Sequence, residues 1–130
     1  MSATIASLMQ SHVQTVAMDD TVAQVEAFLV AEHRSWVPVT EGDGTVVGVI
    51  STSDVLQFHA QQRDAQAVPA WQLCTYKPVV VPPQAGLAEV AMQMVERHIH
   101  HVVVAEGTQV RGVVSSLDFV ARFVRHDAGP

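Results

Sequence analysis

The chain has 130 residues, a length that suits one ordinary domain with a real hydrophobic core. Seven Lys and Arg against thirteen Asp and Glu give a formal net charge of -6, which argues against nucleic acid as a partner. Cys74 is the single cysteine, so no internal disulfide can form. The sequence carries neither a signal peptide pattern nor the roughly 18 consecutive apolar residues of a membrane helix. We therefore expect a cytoplasmic protein that does not enter a membrane.

Two stretches of the sequence have the same pattern. "GVISTSD" at 48–54 and "GVVSSLD" at 112–118 share a Gly, two β-branched residues, a Ser and a final Asp at an offset of 64 residues. Upstream of them the offset is 65 residues, because the second copy is one residue shorter. We therefore predict two repeats, at 1–66 and 67–130, that together form one module.

Each repeat predicts the element order β-α-β-β-α. A short extended segment ends near Val16 in the first copy and near Val81 in the second, and a helix follows. At the start of the first helix, residues 21–24 have the form of a capping box. Apolar residues recur on one face of each helix: Val22, Val25, Leu29 and Val30, and Leu87, Val90, Met94 and Val95. Two β-branched strands and a second helix complete each repeat.

The length difference between the copies falls in a predicted hairpin turn. "TEGDGT" at 40–45 and the shorter "AEGTQ" at 105–109 both contain glycine, which can take positive φ. Residues 59–70 are expected to connect the two repeats. Because a unit of about 60 residues is marginal alone, we expect the copies to pack about a pseudo-twofold axis and leave a cleft between them.

The Ser and Asp that begin the second helix of each repeat allow two interpretations. Ser is a common helix cap, and an Asp in the first turn stabilises the helix dipole by about 0.3–1 kcal/mol without any ligand. An ionised carboxylate can also accept two hydrogen bonds from a vicinal diol, and a helix N-terminus favours phosphate. The recurrence of Asp54 as Asp118 favours ligand contact.

These features resemble a tandem of CBS domains (cystathionine-β-synthase-type domains), the arrangement called a Bateman module. The resemblance covers nearly the whole chain and rests on the paired "GVISTSD" and "GVVSSLD" patterns and the β-branched strands before them. It implies an α+β fold of two β-α-β-β-α repeats related by a pseudo-twofold axis. It also implies a regulatory module that binds AMP, ADP, ATP or S-adenosylmethionine in the cleft between the repeats and signals to a separate effector protein.

The same resemblance implies roles for individual residues. Asp54 and Asp118 are expected to hold ribose hydroxyls, and Ser51 and Ser115 to reach phosphate, with Ser53 adding a second hydroxyl in the first copy. The strands at Val37–Pro38 and Val102–Val103 are expected to flank adenine. The candidate contacts on or beside these strands are Val16, Val37, Pro38, Val81, Val102 and Val103.

The copies differ where the first hairpin strand begins. The second copy has His100 and His101 there, and the resemblance implies that they contact phosphate. The first copy has Trp36, which could stack on a purine, anchor a subunit interface or fill the cleft; the sequence leaves these three roles open.

The histidines in "RHIHH" at 97–101 also raise the question of a metal site. On an extended segment His98 and His100 would share a face, which supplies two ligands where zinc needs three or four. A helix end is the more ordinary account of His98, since a cation near a helix C-terminus is stabilised by the dipole. We therefore predict no metal site.

Three functional classes remain open from the sequence. The second helices carry apolar residues expected on exposed faces, and homodimerisation would cover them: Val55, Leu56, Phe58, Phe119, Val120 and Phe123. The alternative to a ligand sensor is a ligand-free dimerisation or protein-interaction module. An enzyme is not expected, because neither a G-x-S-x-G nucleophile turn nor a phosphate-loop lysine is present. No cofactor is expected either.

Overall fold

The computed structural model describes residues 3–11, 13–76 and 78–127. The predicted order β-α-β-β-α occurs twice, which confirms the α+β fold, with a short helix and strand inserted between the copies. In chain order the elements are a 3₁₀ turn (Ile5–Ser7), β1 (Val16–Ala17), α1 (Val22–Ala31), β2 (Trp36–Thr40), β3 (Val46–Ser51), α2 (Thr52–Ala60), α3 (Ala70–Leu73), β4 (Thr75–Tyr76), β5 (Val80–Val81), α4 (Leu87–Arg97), β6 (His101–Glu106), β7 (Gln109–Ser115) and α5 (Ser116–Asp127).

The chain forms two compact units. The central unit is Gln14–Pro78, and the terminal unit is Met1–Val13 together with Val79–Pro130. These boundaries differ from those of the repeats predicted at 1–66 and 67–130. The difference arises because the segment that begins each repeat is built into the unit that holds the strands of the other repeat.

The central unit contains a sheet in the order β1-β2-β3-β4. β1 runs parallel to β2, and the remaining neighbours are antiparallel. The Thr21–Gln24 capping box is confirmed at the start of α1, with both of its reciprocal hydrogen bonds present. The β-branched strands and α1 supply most of the core: Val16, Val25, Leu29, Val37, Val39, Ile50, Ala70 and Cys74.

The terminal unit contains a sheet in the order β5-β6-β7, with β5 parallel to β6 and β6 antiparallel to β7. The N-terminal segment lies along β7, where Gln10 and Val113 exchange backbone hydrogen bonds of 3.0 and 3.1 Å. β4 lies along β3 in the same way in the central unit. The core again consists mainly of valine: Ile5, Val81, Val90, Met94, Val102, Val104, Val114 and Phe119.

Glycine begins both copies of the shared pattern because a neighbouring segment lies too close for a side chain. A Cβ at Gly48 would lie 2.5 Å from the carbonyl oxygen of Thr75 and 2.8 Å from Sγ of Cys74. A Cβ at Gly112 would lie 2.6 Å from Sδ of Met9. These two glycines therefore allow β4 and the N-terminal segment to approach β3 and β7.

Two residues of the predicted helical stripes are not buried. Val30 is 76% exposed and Val95 is 68% exposed, so their assignment to the core face is wrong. Each follows a buried residue, Leu29 or Met94, by one position. One position rotates a side chain by about 100° around a helix, which takes both valines off the core face.

The prediction of exposed apolar residues on the second helices is wrong for Phe58 and Phe119, which are 1% and 6% exposed. Phe119 is part of the terminal core, and the Arg63 guanidinium lies over the Phe58 ring, 4.8 Å from its centroid. Leu56, Val120 and other residues of these helices are exposed as predicted. In the described parts of the chain, no helix has both the length and the apolar character needed to cross a membrane.

Candidate functional site

The first candidate turn, Ser51 to Asp54, joins β3 to α2. Ser51 is the N-cap, and its hydroxyl oxygen accepts the Asp54 backbone N–H at 3.2 Å. In return Asp54 Oδ2 accepts the backbone N–H of Ser51 at 2.8 Å and its hydroxyl at 3.0 Å. This reciprocal capping box fixes the carboxylate through one of its two oxygens.

The second candidate turn, Ser115 to Asp118, joins β7 to α5 with the same geometry. Asp118 Oδ2 accepts the Ser115 N–H at 2.8 Å and the Ser115 hydroxyl at 3.1 Å, and Ser115 Oγ accepts the Asp118 N–H at 3.3 Å. The capping role considered for these residues is therefore present in both copies. A ligand role must use the other carboxylate oxygen, Oδ1.

Backbone groups at the helix starts are also partly satisfied. The Thr52 N–H donates to the Ser35 carbonyl at 2.9 Å, and the Ser116 N–H donates to the His100 carbonyl at 3.0 Å. Because the Ser51 N–H is bonded to Asp54, two of the three N–H groups expected to seat a phosphate are already used. Ser53, which is exposed, is the member of that group to be tested as a phosphate contact.

Cross-strand pairing determines which side chain lies beside each turn. Trp36 on β2 pairs with Ser51 on β3, and His101 on β6 pairs with Ser115 on β7. Directly paired residues project from the same face of a sheet. The first turn is thus flanked by an indole and the second by an imidazole.

Burial limits the role of Trp36. Its exposed fraction is 7%, so it is already covered within its own chain and does not fit the subunit-interface anchor considered from the sequence. Purine stacking and cleft filling are the two roles that stay open as predictions.

His101 is half-buried, and burial lowers its pKa below the ordinary value of 6.5. The neighbouring His100 lowers that pKa further, whereas the Asp118 carboxylate raises it. His100 itself is exposed. At neutral pH this environment favours the uncharged imidazole of His101, which can still donate one hydrogen bond.

The strands expected to flank adenine lie in the interior. Val37 and Val102 are core residues, and Pro38 and Val103, on the opposite strand faces, are buried as well. The core also holds Val16 and Val81. A ligand contact by any of these residues would therefore be made chiefly by backbone atoms.

One polar contact of the second turn was not predicted. Gln10 Nε2 donates to Asp118 Oδ1 at 3.3 Å. The repeat contains the signal for this contact, because Gln10 lies opposite Val113 as Thr75 lies opposite Val49, at the same offset. For Asp54, the described residues include no hydrogen-bond partner at Oδ1. They also include no group of three or more His, Cys, Asp or Glu placed to hold a metal ion.

The fold and the duplicated turns define a paired-repeat α+β module of the regulatory, ligand-binding type. The family model "CBS domain" matches the sequence at residues 5–60 and again at 70–125. The chain belongs to the CBS domain family, as a tandem pair. The resemblance found in the sequence is thereby confirmed.

Several known proteins are similar to this chain. Inosine-5'-monophosphate dehydrogenase of Mycobacterium tuberculosis is 29% identical over 117 residues, which are 89% of this chain and 21% of the relative. The chain thus spans about a fifth of that relative. The CBS domain pair of protein MJ0100, solved with 5-methylthioadenosine and S-adenosyl-L-methionine, is 18% identical with a TM-score of 0.87, covering 97% of this chain and 99% of that one. CBSX2 in complex with AMP is 20% identical with a TM-score of 0.81, covering 95% and 98%.

Proposed function

We propose that this chain is a regulatory module that binds an adenosine-containing ligand and passes the signal to a separate effector protein. The observation that carries the proposal is the carboxylate-bearing turn that occurs twice, with matching hydrogen bonds to Oδ2 of Asp54 and Asp118 at 2.8 Å. A capping role accounts for a single turn. The matched pair within one family of nucleotide-binding modules favours a ligand.

The turn is suited to hold a ribose because its carboxylate is fixed before a ligand arrives. Oδ2 is held by the Ser backbone N–H and hydroxyl, so Oδ1 is oriented without loss of side-chain entropy on binding. A hydrogen bond from a ribose hydroxyl to a carboxylate is charge-assisted and contributes about 1.5–3 kcal/mol. The helix N-terminus beside it favours the negative charge of a phosphate.

The ligand class is proposed from chemistry shared with similar modules. The titles of two similar structures place S-adenosyl-L-methionine, 5-methylthioadenosine or AMP on those proteins. All three contain adenosine with a ribose diol. We propose AMP, ADP, ATP or S-adenosylmethionine as the ligand of this chain, taken in the cleft between the repeats.

Homodimerisation is part of the proposal. Helix α5 exposes apolar side chains at helical spacing: Leu117, Val120, Phe123 and Val124, with exposed fractions of 53–72%. An apolar stripe of this kind is a candidate protein–protein contact, and a second copy would cover it symmetrically. We further propose that the module works in the cytoplasm and has no catalytic role of its own.

Thermal unfolding with and without ligands tests the sensor directly. A ligand at about 100 times its Kd stabilises a protein by about 2.7 kcal/mol, so we expect a rise in Tm with at least one of the four ligands and none with GMP. Asp54→Ala and Asp118→Ala should both fold and should weaken binding in calorimetry. Equal Tm values with all ligands and buffer would instead favour the second candidate, a ligand-free dimerisation module, which the burial of Trp36 supports.

A further inference from the structure

The two candidate turns differ at a single atom of their otherwise matching geometry. In the second turn Asp118 Oδ1 accepts a hydrogen bond of 3.3 Å from the side-chain amide of Gln10. In the first turn, Oδ1 of Asp54 has no hydrogen-bond partner among the residues that the structure describes. The oxygen proposed to receive a ribose hydroxyl is therefore already occupied in one copy only.

The difference is written in the sequence at equivalent positions. Gln10 pairs with Val113 on β7, and Thr75 pairs with Val49 on β3. These pairs coincide when one repeat is superposed on the other by residue number, since 10 + 65 is 75 and 49 + 64 is 113. A Gln amide extends two bonds further from the backbone than a Thr hydroxyl, so Gln10 spans a distance that Thr75 does not.

The side chain beside each carboxylate differs as well. Trp36 flanks the first turn and His101 the second, at matching strand positions. An indole offers a π-face to a base, whereas the imidazole lies close enough to Asp118 for the carboxylate to act on its titration. The first turn thus combines an unoccupied acceptor oxygen with an aromatic neighbour.

We propose that Asp54 forms the stronger ribose site and that Gln10 is an internal competitor that weakens the site at Asp118. This inference rests on the proposed function, because it concerns which turn the adenosine ligand uses. A ribose hydroxyl can bind Asp54 Oδ1 directly. At Asp118 it must first displace the Gln10 amide, which is exposed and can withdraw into solvent.

The expected size of the effect follows from the bond that is replaced. A typical intramolecular hydrogen bond has a net value equivalent to a factor of about 2–12 in an equilibrium constant. We therefore expect the site at Asp118 to bind AMP about 2–12 times more weakly than it would without Gln10. Removing the amide should recover that factor.

The contact itself can be tested without any ligand. A double-mutant cycle in urea unfolding would combine Gln10→Met with Asp118→Ala, and a matched cycle would combine Gln10→Met with Asp54→Ala. We expect coupling of about fivefold in the unfolding constant for the first cycle and none for the second. Equal coupling in both cycles, or none in either, would overturn the assignment of Gln10.

Calorimetry with AMP and with S-adenosylmethionine tests the consequence for binding. We expect Asp54→Ala to abolish the tighter site, Asp118→Ala to leave its affinity within about twofold, and Gln10→Met to tighten the weaker site. Gln109→Met, at an exposed glutamine on β7, is the control and should change neither affinity. A larger loss from Asp118→Ala than from Asp54→Ala would overturn the inference while leaving the proposed function standing. No binding of either ligand to the wild-type chain would overturn the proposed function, whatever the cycles give.

Discussion

Replacing Gly48 by Ala is expected to destabilise the central unit strongly. The added Cβ would lie 2.5 Å from the carbonyl oxygen of Thr75 and 3.2 Å from Cβ of Cys74. The Thr75 oxygen is a backbone atom of β4, and Gly48 itself pairs with β4, so the clash cannot be relieved by a side-chain rotation. Overpacking of this kind typically costs about 1–3 kcal/mol, and we expect the upper end of that range.

The equivalent Gly112→Ala is a matched comparison because the neighbour there is a flexible side chain. Its Cβ would lie 2.6 Å from Sδ and 2.8 Å from Cγ of Met9, atoms that can rotate away, although Cβ of Met9 lies at 2.9 Å. We expect a loss of about 1–2 kcal/mol in the free energy of unfolding. Gly42→Ala is the control, since nothing lies within 4 Å of its Cβ.

Urea unfolding followed by circular dichroism would measure the three variants. The expected order of destabilisation is Gly48→Ala, then Gly112→Ala, then Gly42→Ala, which should stay within about 0.5 kcal/mol of wild type. Against a typical total stability of about 5–15 kcal/mol, a loss near 3 kcal/mol is easily detected. The reasoning from close approach would be refuted if Gly48→Ala unfolded at the same urea concentration as Gly42→Ala.

Three further predictions concern the histidines. Because the folded-state pKa of His101 lies below 6.5, the unfolded chain binds more protons between the two values; stability should fall as the pH drops through 6.5, and His101→Gln should reduce that fall in urea unfolding at pH 7.5 and 5.5. An unchanged pH slope would contradict it. His98 has a left-handed backbone (φ 54°) at the end of α4, so His98→Gly should raise the unfolding free energy by up to about 1 kcal/mol, and a lowered Tm would count against this account. Replacing His100 and His101 together by Ala should weaken ADP and ATP more than adenosine in calorimetry; equal losses would remove their phosphate role.

The repeat, the element order and the capping turns could be predicted from the sequence because each depends on local pattern. A Ser followed three residues later by Asp, after a β-branched strand, forms the same hydrogen bonds in both copies. The side-chain chemistry at Trp36 and His101 could likewise be read from their alignment across the repeat. Local rules therefore account for both candidate turns.

The burial of individual side chains and the partners of distant segments depended on tertiary contacts. An apolar helix such as α5 offers two faces to the core, and its sequence does not decide that Phe119 is buried while Phe123 is exposed. The bond between Gln10 and Asp118 spans 108 residues and requires the N-terminal segment to lie along β7. Only the structure supplies that placement.

The ribose diol is the part of the ligand on which the whole account depends. Calorimetry comparing AMP with 2′,3′-dideoxy-AMP on the wild-type chain isolates it, since base and phosphate are shared. We expect the dideoxy compound to bind at least about tenfold more weakly, because it cannot donate to a carboxylate of either turn. Equal affinities for the two nucleotides would contradict the assignment of Asp54 and Asp118.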